Sequence, residues 1–371
     1  MVNDSIVRVL GIETSCDETA AAVVVEEGNL TTRVWKIDSS VVASQVDIHR
    51  EWGGVVPELA SRQHVRDICG VVEKALDDAC TTWSALDAVA VTQGPGLVGS
   101  LLVGVAFAKT LSFSLKIPLL PVHHLAGHIE SLFLENGNLP LPAVVLVVSG
   151  GHTNLYVVRE LGDYAQIGRT RDDAAGEAFD KVAKLLDLSY PGGPIIDQLA
   201  REGDNQAIDF PIARMTHVDR NAAQAVESYN RFTRQHPGRF DFSFSGLKTA
   251  VKRYVQARKG SLGSLKLSPQ EIADICASFQ RAVIKPLLGH TCDAARTFGA
   301  RSIGIAGGVS ANSQLRLEAH ALGNQVGLPV FFPSLALSTD NAAMIAAGGL
   351  RQFHHGVSAP LRLNAEASLP L

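Results

Sequence analysis

The feature that most constrains this chain is a pattern that recurs along it. An apolar strand, Ile6 to Ile12, runs into the turn GIETSCDET, and a β-branched strand follows at Thr19 to Val25. Far downstream, Val144 to Val148 is apolar, Ser149-Gly150-Gly151-His152 turns, and Thr153 to Val158 is rich in strand formers. A third apolar strand, Ser302 to Ala306, meets Gly307-Gly308, with a helix expected from Ser310. Strand, small-residue turn, strand, twice over, predicts a duplicated α/β fold with one phosphate-facing turn in each half.

Helical spacing fills the intervals. Pro57 to Ala75, Val98 to Ser112 and Asp173 to Leu186 carry apolar residues at helical period, with Val98 to Ser112 expected to be buried. Glu271 to Phe298 is a long amphipathic pattern in which Pro286 predicts a break. Strands alternating with helices of this length imply βα units and a mostly parallel or mixed sheet in each half.

The chain has 371 residues, enough for two domains and a core that needs no disulfide or metal to fold. Its formal net charge of −4 argues against a protein that coats nucleic acid, though not against a local basic patch. One such patch stands out. Arg231 to Lys266 holds nine Lys or Arg against one acid, Asp241. A solvated surface and a polyanion contact both fit it. No run reaches 18 uninterrupted apolar residues, so no transmembrane helix is expected, and the N-terminus reads as a strand. The five cysteines lack a CxxC pair, which suggests structural thiols in a reduced cytoplasm.

Several residues can do chemistry. His124 and His128 stand four apart in HHLAGH, so on a helix both imidazoles reach one metal. Alone this spacing is a weak sign, and His123 beside it reads as packing or a supporting contact. Position 125 is Leu, so the glutamate of HExxH is missing. Asp340 in STDNAAMIA stands where an N-cap is ordinary; as a third ligand it would complete a two-His, one-carboxylate set suited to Fe(II) or Zn. The turns Ser149-Gly150-Gly151 and Gly307-Gly308 offer unobstructed backbone N–H groups to a phosphate. Asp17 and Glu18 fall in the first turn, where acids can position a metal, a water or a substrate amine, or simply cap the turn. Asp173, Glu177, Asp180 and Lys181 follow at helical spacing before the turn Pro191-Gly192-Gly193-Pro194. They fit exposed salt pairs, or a carboxylate beside a glycine turn that holds a ribose and its base.

Nine motifs in order, GIETSCDET, TQGPGLVGSL, HHLAGH, VSGGHT, DDAAGEAFDKVAKLL, YPGGP, DFSFSGLKT, GGVSAN and STDNAAMIA, span almost the whole chain. Together they resemble the bacterial tRNA N6-adenosine threonylcarbamoyltransferase family, formerly called O-sialoglycoprotein endopeptidase. The resemblance implies an actin-like, hexokinase-like ATPase-superfamily (ASKHA) fold, with two lobes around a nucleotide cleft. The expected lobes are 1–123 with 341–371, and 124–340 with a basic insertion near 212–241. It implies transfer of the threonylcarbamoyl group from threonylcarbamoyl-adenylate to N6 of adenosine 37 in tRNAs that read codons beginning with A, with release of AMP.

Carried over motif by motif, His124, His128 and Asp340 match metal ligands for one divalent ion, Fe(II) ahead of Zn. Val147, Val148, Ser149, Gly150 and Gly151 match a substrate-binding loop, and Asp180, Gly193 and Asn312 match positions that hold the adenylate. Asp17 and Glu18 match acids at the reacting end. Implied partners are tRNA, a catalytically silent paralogue in a heterodimer and a small P-loop ATPase; the implied location is cytoplasmic, with no membrane. Two departures stand out: Ser338 replaces a frequent Cys, and Pro211 to Phe242, with Arg220, Arg231, Arg234 and Arg239, is longer than usual. A zinc metallopeptidase, a small-molecule kinase of the same fold and a non-catalytic scaffold are the competing readings.

Overall fold

The computed structural model describes residues 6–28, 34–212, 238–262 and 267–371. They form two compact units, 1–138 with 333–371, and 139–332.

The first unit is built on five strands: β1 (Val7–Glu13), β2 (Glu18–Glu27), β3 (Val34–Ser44), β4 (Ala88–Gly94) and β5 (Leu119–His123). Their order across the sheet is β3-β2-β1-β4-β5. β1 pairs antiparallel with β2, and β2 with β3, whereas β4 and β5 join in parallel. Successive residues of a strand face opposite sides of its sheet, and here both sides are covered. Leu10, Ile12, Ala21, Val23 and Val25 pack with Ile68, Val72 and Val105. Val9, Ala20, Ala22 and Val24 pack on the opposite side with Met344, Ile345 and Leu350. This double burial explains why Val9–Ile12 of β1 and Ala20–Val25 of β2 carry no polar side chain.

The second unit repeats the plan with β6 (Ala143–Val148), β7 (Thr153–Glu160), β8 (Asp163–Arg169), β9 (Ser302–Ala306) and β10 (Val330–Phe331). The order is β10-β9-β6-β7-β8, the first sheet's order with each strand replaced by its counterpart. The hand of each pairing matches as well: β6-β7-β8 antiparallel, β6-β9-β10 parallel. The duplication read from the turn motifs is therefore present in the sheets.

Three expectations are corrected. The boundaries expected at 123/124 and 340/341 fall instead at 138/139 and 332/333. The helix His124–Asn136 continues directly from β5 and packs on the helix Ala342–His354, which keeps it and the segment from Pro333 with the first sheet. The break expected at Pro286 is absent, and one helix runs from Pro269 to Thr297. Its burial over Ala273–Ala295, with the capping box of Ser268 and Glu271, outweighs the lost N–H bond at Pro286. The helix expected from Ser310 starts at Ser313, after a 3-10 turn at Gly308–Ala311.

The helix Val98–Leu115 is long and apolar enough to span a bilayer by length and composition. It packs on β4 and the helix Pro57–Asp78, and the burial expected for it falls on one face, Ser100, Leu101, Gly104, Val105, Ala108 and Ser112. Of the basic insertion, 213–237 and with them Arg220, Arg231 and Arg234 lie outside the described residues.

Candidate active site

In an open α/β sheet, ligands gather at the carboxyl ends of the parallel strands. In the first unit, Glu13 ends β1 and His123 ends β5. His123 caps the next helix, its Nδ1 accepting from the Leu125 N–H at 3.1 Å, so the helix opens at His124. One turn later His128 falls on the same face, and the two imidazole centroids lie 4.8 Å apart.

The third group arrives from the far end of the chain. Asn341, not Asp340, caps the helix Ala342–His354, accepting from the Met344 N–H at 2.9 Å. Asp340 is thereby released from the capping role that its position suggests. Its Oδ1 lies 3.2 Å from His128 Nε2 and 3.6 Å from His124 Nε2. One donor atom from each of the three lies within 4.8 Å of the others.

Behind His124 stands Glu13, fully buried, a residue the sequence reading did not single out. Its Oε2 lies 3.1 Å from His124 Nδ1 and accepts from Thr92 Oγ1 at 2.6 Å, while its Oε1 accepts from the Ser15 N–H. With a divalent ion bound, a carboxylate on Nδ1 would fix the neutral tautomer whose Nε2 lone pair faces the ion. The only local sign in the sequence was an acid closing the apolar segment Val9–Ile12.

These residues fit a divalent cation. His128 is completely buried, yet neither ring nitrogen makes a hydrogen bond of good geometry. Buried polar atoms are nearly always satisfied, so a buried imidazole without a bond suits a ligand that is an ion. Two imidazoles and a carboxylate supported by a second carboxylate is a donor set for Fe(II) or Zn.

The carboxylates around His124 favour positive charge at this position. Burial lowers the His124 imidazolium, but Asp340 and Glu13 overcome this and hold it up to about 9. Burial would raise the Glu13 carboxyl, but His124, by charge and hydrogen bond, holds it below its usual value. Glu18 is pushed well above the carboxylate range, first by burial and then by Asp17 and Asp340. Asp17 is buried in the turn and Glu18 opens β2, where the charges of Asp17 and Asp340 act on it.

In the second unit, the Ser149 and Gly150 carbonyls accept from the Gly176 and Glu177 N–H groups at 3.2 and 3.1 Å. The loop that ends β6 thus sits on the start of the helix Ala175–Leu185. A Cβ on Gly176 would stand 2.5 Å from the Ser149 oxygen. Gly307 has φ +90, and a Cβ there would stand 2.5 Å from the Val148 oxygen. The two glycine turns therefore meet at Val147–Gly151. Asp180 Oδ1 accepts from the Gly192 N–H at 2.8 Å, and the space beside Gly193 is open. Asn312 caps the helix Ser313–Val326 and donates to Gln280 Oε1 at 2.7 Å. Lys181 binds Asp173 and Glu177 at 2.9 and 2.7 Å, as the salt-pair reading expects.

A family model for TsaD, tRNA N6-adenosine threonylcarbamoyltransferase, matches residues 36–347. The chain belongs to this family. A threonylcarbamoyltransferase of Moorella thermoacetica is 50% identical over 366 residues, covering 98% of this chain and 97% of the relative. That of Koribacter versatilis is 47% identical, covering 98% of each. Among solved structures, full-length HypF in its phosphate- and nucleotide-bound form is similar with TM-score 0.55 at 12% identity, over 96% of this chain and 47% of that one. The Acidaminococcus fermentans (R)-2-hydroxyglutaryl-CoA dehydratase component A is similar with TM-score 0.50 at 14% identity, over 93% and 97%. At such identities these likenesses speak to fold alone, and the fold is the actin-like ATPase fold of the TsaD family.

Proposed function

We propose that this chain transfers the threonylcarbamoyl group of threonylcarbamoyl-adenylate to N6 of adenosine 37 in tRNAs that read codons beginning with A. Membership of the TsaD family supports the reaction. The observation that carries the site is the convergence of His124, His128 and Asp340 in front of Glu13.

The adenylate is a mixed anhydride, so its acyl carbon is already activated and AMP is a good leaving group. The C–N bond forms between N6 and the carbamoyl carbon. The bond from that carbon to the phosphate oxygen breaks, and its electron pair leaves with AMP. The chain's task is placement: an amine held against that carbon gains most of the advantage of an intramolecular reaction. Asp17 or Glu18 accepts the proton that N6 loses. In the other unit, Val147, Val148, Ser149, Gly150 and Gly151, with Asp180, Gly193 and Asn312, hold the adenylate. His124, His128 and Asp340 hold one divalent ion, Fe(II) ahead of Zn, which supplies Lewis acidity toward a carbonyl or phosphoryl oxygen.

A peptidase is not favoured, since residue 125, where HExxH has its glutamate, is a buried leucine. The kinase reading lacks a comparable observation. The partners proposed with the enzyme are a catalytically silent paralogue and a small P-loop ATPase, and the proposed compartment is the cytoplasm. Transfer of labelled threonylcarbamoyl to an unmodified tRNA tests the reaction, with Asp17→Ala and Glu18→Ala alongside. Loss of rate in at least one variant is expected; wild-type rates in both overturn the proton-acceptor assignment.

A further inference from the structure

Three successive backbone carbonyls in the turn between β1 and β2 are each taken by a donor from a different segment. The Leu97 N–H donates to the Ser15 oxygen at 2.8 Å, and the Gln45 N–H to the Asp17 oxygen at 3.0 Å. Between them, the Cys16 oxygen lies 3.0 Å from His64 Nε2. Two of these donors are main-chain groups. His64, completely buried on the helix Pro57–Asp78, supplies the one that is a side chain.

The proton positions follow from groups that can act in only one way. A carbonyl only accepts, so His64 Nε2 carries the proton. Thr19 Oγ1 lies 2.8 Å and Gln45 Nε2 3.4 Å from His64 Nδ1. At the other end, a backbone N–H only donates, and that of Val56 meets His49 Nδ1 at 3.2 Å. His49 Nε2 then donates to Gln45 Oε1 at 3.2 Å, which turns the Gln45 NH₂ toward His64 and the Ala60 oxygen. Burial holds both histidines below the usual imidazole value, so each is neutral with one proton. Every bond from the Val56 amide to the Cys16 carbonyl points the same way.

We propose that His64 is a positioning residue for the transfer reaction, fixing through its Nε2–H bond to Cys16 the turn that carries Asp17 and Glu18, with Gln45 and His49 fixing its tautomer. Cys16 lies between Ser15, whose Oγ is 3.2 Å from His124 Nδ1, and Asp17. A peptide that rotates at Cys16 moves both neighbours. The inference rests on the reading of Asp17 and Glu18 as proton acceptors.

The test compares His64→Gln with His64→Asn in the full-length chain. Glutamine carries an NH₂ where imidazole has Nε2 and keeps the donor to Cys16; asparagine reaches only the Nδ1 position. Transfer from the adenylate to tRNA is measured as kcat and KM, with Tm read on each variant. His64→Asn is expected to lower kcat ~10–100-fold with KM for the adenylate within ~2-fold, and His64→Gln to restore kcat to within ~3-fold. Wild-type kcat in both, or equal loss in both, overturns the proposal. If either variant fails to fold, nitrogen NMR of the wild-type protein decides. A neutral His64 ring protonated at Nε2 is expected, and an Nδ1–H or doubly protonated ring overturns the proposal. Asp17→Ala and Glu18→Ala in the same assay separate the two readings. Wild-type rates in both sink the proton-acceptor reading, whereas their loss beside unaffected His64 variants sinks only the role of His64.

Discussion

His128 Nε2 lies 3.2 Å from Asp340 Oδ1, although the whole second unit, 139–332, separates the two residues in sequence. Each depends on a cap. His123 starts the helix that carries His128, and Asn341, rather than Asp340, caps the helix Ala342–His354.

The carboxylate behind His124 tunes the site without joining it. Glu13→Gln keeps the shape but removes the charge on Nδ1, and it lowers divalent-metal affinity ~10–100-fold, as losses of such supporting groups do. His128→Ala abolishes binding at this site. Titration of the metal-free protein with Fe(II) or Zn, followed calorimetrically, checks both.

The glycine turns of the second unit are a backbone contact before they are a binding surface. Gly307→Ala places a Cβ 2.5 Å from the Val148 oxygen at φ +90, where an L-residue is strained. The expected cost is about 1–3 kcal/mol of stability, with weaker adenylate binding. Denaturant unfolding and equilibrium binding of a non-hydrolysable adenylate analogue measure the two effects.

Asp173 sits between Lys181 and Lys248, at 2.9 and 2.8 Å. Burial works to raise its carboxyl, but hydrogen bonds from Lys248 and Lys181 prevail, and it is held below its ordinary value. A carboxyl depressed in the folded state stabilises the fold above its unfolded value, and the contribution disappears as pH falls through the folded value. Asp173→Asn is therefore expected to cost ~0.5–1 kcal/mol at neutral pH. The gap to wild type should close in acid, and urea midpoints across pH measure it.

The five thiols divide by environment. Cys69 and Cys80 are exposed, while Cys276 and Cys292 are buried. Burial pushes Cys276 up to about 12; Cys16 is raised by burial and by Asp17, Asp340 and Glu18. The thiolate is the reactive form, so iodoacetamide at neutral pH is expected to label Cys69 and Cys80 promptly and the others only on unfolding. Mass spectrometry of the labelled protein counts them.

Local residues revealed some of this structure and not the rest. β2 and β6 were legible because two-sided burial writes unbroken apolar runs over Ala20–Val25 and Ala143–Val148, and β1 and β7 because they are rich in apolar strand formers. β3, VWKIDSSVVAS, is an edge strand with alternating exposure and several polar residues, and it left no comparable run. Pro286 carries a strong local signal for a break, but packing along Pro269–Thr297 overrides it. His124 and His128 were legible from spacing on one helix. That Asn341 caps, and Asp340 therefore does not, is a matter of one residue that only backbone geometry decides. Glu13 stayed hidden because its partners, Thr92 and His124, come from distant segments. Arg239, part of the basic insertion, lies in a turn and is held by Asp293 of the helix Pro269–Thr297 at 2.7 Å, a pairing that composition could not show.

The most direct measurement is single-turnover transfer. Wild-type protein and His124→Ala, each with the partner proteins, receive adenylate labelled in its threonylcarbamoyl group and an unmodified tRNA reading a codon that begins with A. Label is counted in nucleosides after digestion. Label in modified adenosine with wild type, lost in His124→Ala, is the expected result. Equal transfer by the variant would contradict the role given to the His124, His128 and Asp340 site, and no transfer by wild type with active partners would contradict the proposed reaction itself.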